Sequence, residues 1–127
     1  MTDQPETALI TGGTSGIGFA TARKLAQLCI FVLVVGRNAE RGKKAVDEIR
    51  AAGGKADFIS SELRGADSAR EVARKAIVLG NGHVDILINN AGIYLFGPTH
   101  EMTEEQFDRV LSTNVKAPYF LVSEHAR

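Results

Sequence analysis

The sequence contains no tryptophan, one cysteine, three prolines and no net charge. Each scarcity excludes something. Cys29 cannot form an internal disulfide, and no CxxC or Cys/His cluster surrounds it, so neither a disulfide framework nor a metal site is expected. Fifteen Lys plus Arg balance fifteen Asp plus Glu, which removes the basic footprint that nucleic acid or an anionic membrane would call for. The longest apolar run, residues 29–35, is far short of a membrane span. The opening MTDQPET carries acid and proline where a secretory leader would carry base and an apolar stretch. What remains is ordinary: 127 residues, 44% hydrophobic and 24% charged, enough for one buried core. A soluble, cytoplasmic domain without nucleic-acid or membrane partners is the expectation.

Three apolar segments read as buried parallel strands, at residues 8–10, 30–35 and 84–88, with a weaker fourth at 56–59. The second and third of these are continuous rather than alternating, as when helices cover both faces of a sheet. Between them lie helical spacings. In the first, Ile17, Ala20, Thr21, Lys24, Leu25 and Leu28 form one stripe. In the second, residues 39–52, Ala45, Val46, Ile49 and Ala52 share a face, and in the third, residues 68–79, Val72, Ala76 and Leu79 do so. Ser68 with Glu71, and Thr103 with Gln106, have capping-box spacing. Gly53-Gly54 and Gly80-Asn81-Gly82 read as turns closing helices two and three. The order β-α-β-α-β-α-β-α predicts right-handed crossovers and a doubly wound α/β sheet.

The first strand runs into Thr11-Gly12-Gly13-Thr14-Ser15-Gly16-Ile17-Gly18 and then a helix. In that arrangement helix-terminal N–H groups and the positive dipole end meet a phosphate. Gly12 suits the tight turn, Gly16 the close approach of a pyrophosphate, and Gly18 the packing of helix on strand. The spacing is neither GxGxxG nor a P-loop, since no Gly-Lys-Ser/Thr follows.

These residues resemble the short-chain dehydrogenase/reductase family, whose glycine motif TGxxxGxG is matched by Thr11-Gly12, Gly16 and Gly18. The family's NNAG stands as Asn89-Asn90-Ala91-Gly92 at the end of the fourth strand, and its helix asparagine is matched by Asn114 within Thr113-Asn114-Val115-Lys116. The resemblance implies a Rossmann-like sheet of order 3-2-1-4, incomplete relative to the family, with residues 1–127 forming the front part of a single dinucleotide-binding domain. It implies cofactor contacts from Gly12, Thr14, Ser15, Gly16, Ile17 and Gly18 and from Asn90, Ala91 and Gly92. NAD-preferring relatives carry an acid at the end of strand two. Here Gly36 stands at that place and Arg37 follows, so a guanidinium can pair with a ribose 2′-phosphate. Asn38 either adds a hydrogen bond or caps helix two. NADP is therefore expected over NAD. Glu62-Leu63 corresponds to the family's Asp-aliphatic pair at the adenine, with the charge displaced by a methylene. Cys29 stands at a turn where relatives often have glycine; if that turn is left-handed, a strain cost of about 1 kcal/mol is expected.

In the family a tyrosine acts as acid/base, a lysine four residues later lowers its pKa, a serine orients the substrate oxygen, and the helix asparagine supports a proton relay. Only Asn114 of that set is expected here. Tyr94 is followed at four by Pro98, and Tyr119 by Ser123. Tyr94 is assigned to the substrate mouth or to packing, with Leu95 and Phe96 hinting at an apolar mouth, and Tyr119 to helix packing. Ser112 and Ser123 lie within the helix. His83, His100 and His125 lack metal-ligand spacing and are assigned solvated or capping roles, and Asp85 the polar start of strand four. The family would act on a carbonyl or alcohol substrate, usually as a homo-oligomer. The rival reading is a dinucleotide-binding module, truncated or naturally incomplete, without turnover. In either case strand four becomes a bare edge, and the helix-four face bearing Phe107, Val110, Leu111, Val115 and Leu121 lacks partners.

Overall fold

Aliphatic runs without alternation become strands buried on both sides, and the intervening segments become the helices that cover them. The computed structural model describes residues 5–92 and 98–125. In chain order it holds β1 (Thr7–Thr11), α1 (Gly16–Gln27), β2 (Phe31–Gly36), α2 (Ala39–Ala51), β3 (Ala56–Ser60), α3 (Ala66–Leu79), β4 (Ile86–Asn89), a 3₁₀ turn (Thr99–Glu101), α4 (Glu104–Leu111), a π turn (Ser112–Lys116) and α5 (Ala117–His125). The strands are parallel in the order β3-β2-β1-β4, the Rossmann-like order expected, in a sheet of four strands. No helix among the described residues is long and apolar enough to cross a membrane.

Successive residues of β1 feed opposite cores. Leu9 lies opposite Leu33 and Leu87 in the register and packs with Val72, Ala73 and Ala76 of α3 and Ala117 and Leu121 of α5. Ala8 and Ile10 face the other way, onto Ala22 and Ala26 of α1 and Val46 and Ile49 of α2. Each fully buried Leu, Ile or Val contributes about 1.5–3 kcal/mol relative to exposure. An Arg70–Glu124 ion pair at 3.6 Å, with Arg70 lying 5.0 Å from the Phe120 ring centroid, adds a polar tie between α3 and α5.

The expected stripe of α1 is rotated. Ile17 and Leu28 are 79% and 63% exposed, while Gly18, Ala22 and Ala26 are buried. Small residues win because they let the helix axis approach the sheet, and the larger apolar side chains are left on the rim. Helix three begins earlier than residue 68: its N-cap is Gly65. Ser68 therefore lies inside the first turn, where its hydroxyl accepts from Arg64 N–H at 2.9 Å and donates to Gly65 carbonyl oxygen at 3.2 Å. Glu71 pairs with Lys75 instead of closing a box. The Thr103–Gln106 box is present with both of its hydrogen bonds.

Helix four divides at the π turn into α4 and α5. Phe107, Leu111 and Val115 are exposed and Val110 is half-buried, but Leu121 is fully buried against α3 rather than lacking a partner. Tyr119 is 67% exposed, its ring meeting that of Phe120 edge-on at 5.1 Å between centroids. Cys29 has φ 65°, the left-handed backbone expected of its turn, at a cost of about 1–2 kcal/mol for a side-chain-bearing residue.

The two edge strands of the described sheet differ in character. On β3, Asp57 turns its carboxylate back to accept the outward N–H of Phe58 at 2.8 Å, which blunts that edge against pairing. On β4, Ile86, Leu87 and Ile88 are all half-buried, the apolar edge foreseen. Asp85 accepts Thr7 N–H at 2.7 Å and meets His83 Nδ1 at 2.8 Å, so it ties the start of β1 to the approach to β4. His100 is exposed beside Glu101. His125 departs from the solvated or capping assignment: its Nε2 is buried with no hydrogen-bond partner among the described residues. Burial pushes its imidazole below the ordinary value, against an opposing effect from Glu124.

Candidate functional site

In a sheet of order β3-β2-β1-β4 the strand order reverses between the parallel β1 and β4, and the carboxyl ends of those strands open a crevice. The glycine turn sits there. Gly12 has φ 66° and donates its N–H to Val35 carbonyl oxygen at 2.9 Å, which folds the turn over β2. Gly16 has φ 57°, and a Cβ built on it meets nothing among the described residues within 4 Å. The space beside it is open, at the N-terminus of a twelve-residue helix. At Gly18 a Cβ would run into the Gly12 carbonyl and the Asn90 side chain. Gly18 therefore supports the turn from beneath and is absent from the cleft wall. Gly13, given no role by the motif, is also constrained, though less tightly: its Cβ would lie 2.8 Å from Val34 Cγ1 and 3.0 Å from Ile10 carbonyl oxygen.

The asparagine motif is locked to this turn. Thr11, 1% exposed, accepts the backbone N–H groups of Asn90 at 3.0 Å and Ala91 at 2.9 Å through its hydroxyl. Asn90 Nδ2 donates to Gly12 carbonyl oxygen at 3.2 Å. Two segments some eighty residues apart thus form one wall. Thr11 is part of the motif, but its role is legible only once β4 lies beside β1.

The far wall is built by the ends of β2 and β3. A Cβ on Gly36 would come within 2.9 Å of Thr14 Cγ2, so the threonine methyl occupies room that a larger residue at this place would need. Arg37 follows with its side chain 63% exposed. Asn38 is committed to the helix: its Oδ1 accepts Arg41 N–H at 3.0 Å as the N-cap of α2. Glu62 meets both Arg64 Nη2, at 3.1 Å, and Arg37 Nη1, at 3.8 Å. Leu63 points the other way and is buried in the core.

A cleft of about 800 Å³ joins these walls. It is lined by Gly12, Thr14, Ser15, Gly16 and Ile17, by Arg37, Asn38, Glu62 and Leu63, and by Asn90, Ala91 and Gly92. Every expected cofactor-binding residue except Gly18 is therefore brought together. Arg41, Arg64 and Arg109 also line it, from α2, the β3–α3 connection and α4. Sequence reasoning missed all three, because a solvated arginine on a helix or loop carries no local mark of what the fold will place beside it. With Arg37 they set four guanidinium groups against the single carboxylate of Glu62, a field suited to a polyanion.

Asn114 does not line the cleft but stands at its end: a Cβ on Gly92 would lie 3.4 Å from Asn114 Oδ1. It occupies the middle of the π turn, and such local widening is frequent at functional positions. Thr113, its neighbour, is on the cleft wall. Tyr94, Leu95 and Phe96 lie outside the described residues. Among the described residues no three His, Cys, Asp or Glu side chains converge as a metal site.

Comparison with known proteins supplies the remaining observations. A family model described as short chain dehydrogenase matches residues 6–127. An uncharacterized oxidoreductase of Thermotoga maritima is 39% identical over 126 residues, which are 99% of this chain and 49% of that protein. A metagenomic short-chain oxidoreductase solved in complex with NADP superposes with a TM-score of 0.90 at 35% identity, covering 98% of this chain and 57% of the other. A short chain dehydrogenase from Burkholderia cenocepacia J2315, also in complex with NADP, gives 0.91 at 34% identity, covering 98% and 51%. The chain spans about half the length of the relatives it matches.

Proposed function

The chain belongs to the short-chain dehydrogenase family, and from that membership we propose that it is an NADP(H)-dependent oxidoreductase, holding the dinucleotide in this cleft and transferring hydride between nicotinamide and a carbonyl or alcohol. One observation carries the reading: the residues expected to touch cofactor line a single cleft, with Gly16 open at one wall and Arg37 at the other. A dinucleotide fits the residues present. The open position at Gly16 and the α1 N-terminus suit a pyrophosphate. Arg37 suits the additional ribose phosphate, and Gly36 withholds the carboxylate that would repel it.

When bound, the nicotinamide supplies the hydride chemistry; the chain's own residues orient and hold it. Asn90, fixed by Thr11 and Gly12, shapes the wall between the pyrophosphate and the deeper cleft. Asn114, at the end of that wall, is the residue assigned to supporting a proton relay. The second reading, a dinucleotide-binding module without turnover, differs in expecting cofactor binding alone. Homo-oligomerisation and a cytoplasmic location belong to the same proposal. The exposed Phe107, Leu111, Val115 and Tyr119 are apolar surface of the kind an assembly covers.

Titration with NADP and NAD tests the cofactor assignment. NADP is expected to bind at least about tenfold more tightly at low salt, the worth of one well-placed charge-assisted pair. Equal affinity, or tighter NAD, overturns it. A turnover screen over carbonyl and alcohol substrates with the tighter cofactor then separates oxidoreductase from silent module.

A further inference from the structure

Glu62 and Arg37 stand 3.8 Å apart on the wall assigned to the ribose phosphate, which poses an electrostatic problem. A carboxylate that close to a phosphate-reading guanidinium competes with the phosphate for it and repels the incoming anion. We infer that Arg64 is a positioning residue for cofactor selection: it occupies Glu62 and so leaves Arg37 free for the 2′-phosphate. This inference rests on the NADP reading of the cleft.

The backbone puts Arg64 in place to do this. Ser61 N–H donates to Gly36 carbonyl oxygen at 3.0 Å, which draws the end of β3 against the end of β2 and brings Glu62 to Arg37. Leu63 is 8% exposed and anchored in the core, so Glu62 and Arg64, on either side of it, both face outward onto the cleft. Arg64 N–H donates to Ser68 Oγ at 2.9 Å, which fixes the arginine's backbone at the start of α3. Its guanidinium then reaches the same Glu62 oxygen that Arg37 approaches, but closer, at 3.1 Å against 3.8 Å. The nearer cation holds the carboxylate and the farther one is the more readily released. When a phosphate arrives, Arg37 can turn to it without leaving Glu62 unpaired.

The test compares binding of 2′,5′-ADP with that of 5′-AMP, two fragments that differ only in the phosphate at issue, in the wild-type chain and in R64A, E62Q and the E62Q/R64A double variant. Removing Arg64 is expected to lower the ratio of 2′,5′-ADP to 5′-AMP affinity about three- to fivefold at low salt, the upper range for exposed charge pairs. E62Q alone should hold or raise the ratio, and the double variant should match E62Q. That match is the decisive outcome, since an arginine that merely stabilised the loop, or bound the phosphate directly, would lower the ratio in the E62Q background as well. A ratio unchanged in R64A, or lowered by loss of Arg64 as much in the E62Q background as in the wild type, overturns the inference. If the wild-type chain does not favour 2′,5′-ADP at all, the NADP reading itself has failed. If R37A lowers the ratio and R64A does not, the reading stands and the role of Arg64 falls. All three side chains are half-exposed or more, and unchanged thermal melts identify variants that remain folded.

Discussion

Replacement of Gly18 by alanine is expected to abolish dinucleotide binding and to lower stability by about 1–3 kcal/mol, the range for overpacking a close contact. One methyl group has this effect because of what faces it. The Cβ would enter the space of the Gly12 carbonyl, a backbone atom that cannot rotate aside, and would also press on Asn90 Nδ2. Relief requires either that α1 move off the sheet or that the glycine turn open. The first loses the packing of Ala22 and Ala26; the second loses the hydrogen bond from Asn90 to Gly12 and reshapes the cleft. Urea denaturation and NADPH titration of G18A would read both effects. Alanine at Gly16 makes the informative contrast. Its Cβ meets no atom of the described residues within 4 Å, so stability should fall only by the left-handed backbone cost of about 1–2 kcal/mol, while the methyl projects where the proposed pyrophosphate would lie. Unchanged binding in G18A would show that the turn does not need the observed approach of helix to strand.

The second large effect is expected at Thr11. Thr11→Val keeps the shape and removes the hydroxyl, leaving the N–H groups of Asn90 and Ala91 without their acceptor. A buried donor left unsatisfied costs about 1–3 kcal/mol. Because these two are only partly buried, a combined loss of about 2–4 kcal/mol is expected on that scale. Cofactor affinity should fall along with stability, since the same bonds hold the asparagine wall against the glycine turn. Thr11→Ser, which retains the hydroxyl, should keep most of both. If Val and Ser behave alike in denaturation and in titration, the hydroxyl is not what joins the two motifs.

The strands were the most legible part of the molecule, because continuous runs such as 31–35 admit few readings other than a strand covered on both faces. The element order followed from them, and with it the position of the cleft at the reversal of the sheet. Helix faces were less legible. In α1 the large apolar residues Ile17 and Leu28 outweigh Gly18, Ala22 and Ala26 in any periodicity, yet close approach to a sheet selects the small ones. The π turn at residues 112–116 has no marker in composition, since it consists in a changed hydrogen-bond spacing within an otherwise helical segment. Of the site, the parts that consist of backbone geometry showed in the glycines and in Asn90. The parts that consist of convergence did not. Arg41, Arg64 and Arg109 become cleft residues only when three elements are placed together, and the sharing of Glu62 by two arginines depends on a backbone bond from Ser61 to Gly36.

Amide hydrogen exchange with and without saturating NADPH addresses the central claim, that the cleft between the glycine turn and the asparagine motif is the dinucleotide site. Slowed exchange is predicted across residues 14–18 and 90–92, with smaller protection at 37–38 and 62–64 and none at the opposite ends of the strands, residues 53–55 and 81–83. NADPH binding that leaves residues 14–18 and 90–92 unprotected, or protects the opposite ends instead, would contradict it.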